Sequence, residues 1–157
     1  MRTIWAFMLC VLAATPPHAG AGGLESAMAQ SAAGLKAQSA RINVASQNVA
    51  NAESVALTPA GEPYRRKRIF FGEKYDPKTD ATLVVVKKID RDYVSPLEPR
   101  FDPSHPAANT EGYVLYPNVD SEIESADIRE AERSYEANMT ALEASRTMYT
   151  RTIDLLR

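Results

Sequence analysis

The stretch SEIESADIREAERSYEANMTALEASRTMYTRTIDLL, residues 121 to 156, decides the architecture. Ile128, Tyr135, Leu142, Tyr149 and Leu156 recur every seven residues. That interval keeps a row of side chains on the face of one helix that meets another in a supercoil. Ala131, Asn138, Ser145 and Thr152 form a companion row, small enough to let a second backbone come close, and Met139 and Ile153 widen the stripe. Asp120, Glu122, Glu124 and Asp127 gather at the start, with Arg146, Arg151 and Arg157 at the end, which complements a helix dipole. A long amphipathic C-terminal helix follows, within a segment spanning 120–157.

The same grammar appears near the other end of the chain. Between Leu24 and about Asn51, Met28, Leu35, Ile42 and Val49 are again seven apart, with Ala45 beside them. The stripe is narrow and the rest is Ala, Ser, Gln and Asn, so this helix, in segment 22–57, depends on a partner helix for cohesion. Between the two, segment 58–119 carries Pro59, Pro63, Pro77, Pro96, Pro99, Pro103, Pro106 and Pro117, which interrupt any helical period. Arg68–Phe71 and Leu83–Ile89 are the predicted strands, being β-branched or aromatic in character. The expected fold is mainly α, with long N- and C-terminal helices pairing in a coiled-coil-like manner about a Pro-rich β and loop segment.

Residues 1–21 have the form of a secretory leader. Arg2 is basic, Ile4–Ala14 is an uncharged apolar run too short to span a membrane, and Pro16-Pro17 precedes an A-x-A site at Ala19-Gly20-Ala21. Cleavage there leaves Gly22 as the first residue and removes Trp5 and Cys10, so the mature chain has no thiol. It also makes the formal net charge of −2 one unit more negative.

Composition narrows the function further. With 18 basic residues against 20 acidic, the chain lacks the positive excess that phosphate backbones select, and no nucleic-acid partner is expected. Arg65-Arg66-Lys67-Arg68 is the one basic cluster, and it is expected to face an acidic neighbour or solvent. His105, in Asp102-Pro103-Ser104-His105-Pro106, is the one histidine outside the leader, and no G-x-S-x-G elbow accompanies Ser104. H-E-x-x-H, an EF-hand loop and both glycine-rich phosphate motifs are absent from the sequence. No catalytic residue, metal, cofactor or small-molecule substrate is expected.

Two narrow helical seams that a small middle segment cannot cover leave two arrangements. The helices pair within a monomeric hairpin, or they pack with helices of other copies. A contact repeated by a rotation that does not close builds a fibre or tube. The first arrangement would suit a periplasmic binding or chaperone-like module, the second a structural subunit.

Five motifs, in order, carry a resemblance over residues 23–157. Ile42-Asn43-Val44-Ala45-Ser46-Gln47-Asn48-Val49-Ala50-Asn51-Ala52 is followed by Pro63-Tyr64-Arg65-Arg66-Lys67, and Asp102 to Val114 by Pro117-Asn118-Val119 and Arg133-Ser134-Tyr135-Glu136-Ala137-Asn138. The chain resembles the bacterial flagellar rod and hook axial proteins. That resemblance implies a structural subunit of the proximal rod of the basal body, the drive shaft that crosses the periplasm and transmits torque. It implies terminal helices in the inner tubes of the rod and a subunit-specific outer middle segment. The implied partners are copies of itself, other rod subunits and the basal-body ring and adaptor proteins. Asn43, Asn48 and Asn51 would belong to the N-terminal axial motif, and Tyr135, Glu136 and Asn138 to the C-terminal one. Two features stand apart from the family pattern: the leader, which implies either a separate route into the periplasm, the preferred reading, or a true start downstream such as Met28, and the acidic run Asp120–Glu124.

Overall fold

A computed structural model describes residues 21–58 and 61–155. The chain runs α1 (Ala21–Ala50), β1 (Lys67–Asp76), β2 (Ala81–Arg91), β3 (Glu98–Phe101), β4 (Tyr113–Tyr116) and α2 (Ser121–Leu155). The leader through Gly20, including Ala19, and the last row member Leu156 lie outside the described residues; Ala21 is the first residue of α1. No described helix is long and apolar enough to cross a membrane.

The acidic run sets the start of α2. Asp120 Oδ1 accepts from the Glu122 and Ile123 backbone N–H groups at 2.9 and 3.2 Å, capping donors that the first turn leaves without partners. α1 and α2 lie side by side, and Asn48 meets Glu124 while Gly34 meets Asn138, so the helices are antiparallel.

Small side chains occupy the centre of their contact. Ala131 is 0% exposed, Ser145 and Ala45 are buried, and a Cβ placed on Gly34 would lie 2.7 Å from Asn138 Oδ1. The larger rows flank this seam: Met28, Leu35, Ile42 and Val49 on α1 are half-buried, as are Ile128, Tyr135 and Leu142 on α2, and Tyr149 is exposed. The reason is steric, since the backbones approach closely only where the rows are small.

The middle segment forms two antiparallel pairs, β1 with β2 and β3 with β4. Both predicted strands are present but longer than expected, and β3 and β4 had no signal strong enough to predict them. The register of the long hairpin slips between Phe70 and Phe71, a β-bulge. Its connection is fixed by Asp76, whose two oxygens accept from Lys78 N–H and Thr79 Oγ. The hairpin packs on α1, with β2 providing most of the contact. Between β3 and β4, Gly112 has φ +82°, and a Cβ there would sit 2.9 Å from the Phe101 ring, so the turn requires glycine.

Replacing Gly34 with Val should destabilise the chain by about 2 kcal/mol through overpacking against Asn138, although valine is the better helix former. Urea unfolding checks this, and Asn138→Ala in the same chain should recover most of the loss.

Candidate functional site

Asn48 is 1% exposed and uses its side-chain amide completely. Nδ2 donates to the Lys67 carbonyl at 2.9 Å and to Glu124 Oε2 at 3.0 Å. Oδ1 accepts from the Lys67 N–H and from the Tyr64 hydroxyl, both at 2.8 Å. One side chain of α1 therefore holds the entry to β1 and the first turn of α2 together. Its surroundings give a physical reason for an amide there, because a buried polar group without partners costs more than one hydrogen bond gains.

Glu124 completes the node from α2. It is 1% exposed, and Arg66 Nε donates to its Oε1 at 2.5 Å with a terminal guanidinium nitrogen at the same distance. Both carboxylate oxygens are thereby satisfied, the condition under which a buried charge is tolerated. Burial first, and then the nearby Glu124 charge, push the Tyr64 hydroxyl up from its ordinary value, so it stays a donor to Asn48.

A second ring of contacts extends the node into the middle segment. Asn118 Oδ1 accepts from the Arg66 N–H at 2.9 Å, while its Nδ2 reaches the Asp92 and Ser95 carbonyls at 3.2 Å each. The Asp92 N–H in turn donates to the Arg66 carbonyl at 2.8 Å. Asp92 Oδ1 accepts from the Ser95 and Val94 N–H groups and Oδ2 from Ser95 Oγ, and these bonds hold its carboxyl below the usual range. One turn of α2 further along, Arg41 Nε donates to Asp127 Oδ2 at 3.1 Å, tying the helices directly.

Most of the basic cluster is thus taken up by the fold. Arg66 pairs with Glu124, Lys67 Nζ donates to Gln47 Oε1 at 2.7 Å, Arg65 stacks 4.8 Å over Tyr93 and Arg68 lies 4.0 Å from Asp92. The sequence placed this cluster toward an acidic neighbour or solvent; Arg65, Arg66 and Lys67 lie against intramolecular partners, and Arg68 stays exposed.

The other motif residues separate. Asn51 Nδ2 closes α1 on the Gln47 carbonyl and its Oδ1 accepts from Ser54 Oγ, while Asn43 is exposed and accepts from Gln47. Asn138 bonds to the Ser134 carbonyl and lies against Gly34; Tyr135 is half-buried and Glu136 exposed. In the loop before β4, Ser104 Oγ donates to Asp102 rather than to His105, and His105 Nδ1 accepts from the Ala107 N–H. These bonds shape a turn. The roles of Tyr64, Arg66, Asn118 and Glu124 had no periodic signal, since each acts across long sequence separations.

Asn48→Ala should cost about 3 kcal/mol, because it leaves a buried carboxylate oxygen, a hydroxyl and two backbone groups without partners; chemical denaturation checks it. A lowered folded pKa contributes stability that is complete above the ordinary value of 3.8 and fades as pH falls toward the folded one. Below about pH 4, wild-type stability should therefore drop more steeply than that of Asp92→Asn.

Residues 110–155 match the family model described as the flagellar basal body rod FlgEFG protein C-terminal region. A flagellar basal-body rod protein FlgC of Agrobacterium fabrum is 46% identical over 127 residues, covering 79% of this chain and 88% of the relative. One from Borreliella burgdorferi is 36% identical over 152 residues, covering 86% and 99%, and one from Escherichia coli O157:H7 is 38% identical over 121 residues, covering 77% and 89%. With relatives this similar along most of its length, the chain belongs to the FlgC family of flagellar basal-body rod proteins.

Proposed function

We propose that this chain is a structural subunit of the proximal rod in the flagellar basal body, built into the periplasm-crossing shaft through its two terminal helices. The observation that carries the reading is the division of labour on those helices. Small residues close the contact within the chain, and the heptad rows of larger apolar residues stay half-open on its flank. Met28, Leu35, Ile42 and Val49, with Ile128, Tyr135, Leu142 and Tyr149, are thus available to pack in a coiled-coil-like manner against helices of neighbouring copies and other rod subunits. Near the end of α2, Met148, Ile153 and Leu155 are exposed as well. A free-standing helical hairpin would have no reason to leave so much apolar side chain in water.

The role is mechanical. It requires stiff helices held in register, and the Asn48–Glu124 node supplies register at the end of the pair nearest the middle segment. Asn43, Asn51, Tyr135, Glu136 and Asn138 are assigned to helix contacts, while contacts with ring and adaptor proteins fall to the middle segment. No catalytic, cofactor-binding or metal-binding residue is part of this reading. The leader takes the chain into the periplasm separately from the other rod subunits.

Leu142→Asp should leave secretion and folding intact but abolish incorporation, because a carboxylate on the flank row meets apolar side chains of the next subunit. Basal-body composition and swimming report this, and normal motility of the variant would refute the packing role. Mass spectrometry of the same basal bodies should find Gly22 as the first residue; a peptide containing Arg2 would overturn the export route.

A further inference from the structure

A groove of about 660 Å³ runs between α1 and the long hairpin, away from the polar node. Ala37, Leu83 and Val85 line its floor, and Lys36, Lys74 and Lys78 stand at its rim. The carboxylate of Asp76, also on the lining, is turned into the hairpin connection, where both of its oxygens accept hydrogen bonds. None of the three lysines makes an ion pair among the described residues. The groove is therefore apolar inside and cationic at its edge.

We infer that this groove receives the acidic first turn of α2 from a second copy of the chain. This rests on the assembly reading above and specifies one contact within it. The chemistry selects that occupant among the helix ends. Glu122 and Ile123 are exposed at the start of α2, Ile123 to 60%, and Glu122 has no ion-pair partner among the described residues. Asp120 adds negative charge beside them, although its Oδ1 is committed to the cap. The opposite end of α2 also exposes apolar side chains, but Arg146 and Arg151 outweigh Asp154 there, and the rim lysines repel that net positive charge. The start of α1 has a single carboxylate, Glu25, and the end of α1 has no charged residue in its last turn.

Geometry forbids the contact within one chain. The groove lies at the level of Ala37, whereas the start of α2 lies at the level of Asn48, eleven residues or about 16 Å further along α1. The contact therefore joins two copies, groove of one to helix start of the next. Because groove and helix start are different patches, it can repeat from copy to copy, and a repeat whose rotation does not close propagates along an axis. It also gives the acidic run at Asp120–Glu124 two separate uses: Glu124 turns inward to Arg66, and Glu122 faces a neighbour.

The test uses the full chain in a Cys10→Ser background, expressed in motile cells as two singly substituted copies, Lys78→Cys and Glu122→Cys. A disulfide joining the two copies in isolated basal bodies is expected. In parallel, the combined Lys36→Glu, Lys74→Glu and Lys78→Glu variant should lose incorporation while keeping its helical circular dichroism, and adding Glu122→Lys should restore it. Both cysteine-substituted copies present in basal bodies without the inter-copy disulfide would overturn the contact and leave the rod assignment standing. Loss on charge reversal without rescue would also overturn it, pointing to a different protein in the groove. Absence of the wild-type chain from basal bodies would overturn the assembly reading itself.

Discussion

The structure depends on one buried amide. Asn48 offers two donors and two acceptors, and α1, β1 and α2 each need a partner where they converge. No apolar residue could serve, because the edge of β1 would keep an unpaired N–H and carbonyl and Glu124 would lose half of its compensation. No charged residue could serve either, since donors and acceptors are wanted on the same side chain. Fixing Asn48 fixes where the hairpin leaves α1 and where α2 begins, and the hairpin then lies along α1 because its base is held.

The helix pair shows a second constraint. A close antiparallel contact wants small residues, and lateral association wants large ones. The chain meets both by placing Gly34, Ala45, Ala131 and Ser145 between the helices and the leucine, isoleucine and tyrosine rows beside them. Burial within one chain is modest as a result, and further packing requires neighbours.

The helices were legible because period alone identifies them: seven-residue spacing at both ends, and an acidic start ending in the Asp120 cap. The hairpin was legible as two β-branched runs, though not its length, because Gly72, Glu73, Lys74 and Asp76 look like turn and surface residues. β3 and β4 are four residues each, and Pro99 lies within one of them, so propensity argued against them. The node was hidden for a different reason. Arg66 reads as one of four neighbouring cations and Glu124 as a dipole-compensating acid, and only the fold reveals that 58 residues apart they share a partly buried bond. The small companion row on α2 was visible in the sequence, but which of the two rows faced inward depended on how closely the backbones approach.

Sequence separation along the chain has a kinetic consequence. The contacts that unite the helices join residues 76 and 86 positions apart, Asn48 with Glu124 and Arg41 with Asp127. Every such contact closes a loop containing the entire middle segment, so its entropy must be spent before any pairing is gained. α1, narrow in its apolar stripe, lacks its main packing partner until α2 arrives. A chain emerging from its N-terminus through a narrow passage therefore stays threadable until its last residues clear, and the helix pair forms late, at the place where the whole polypeptide has been delivered.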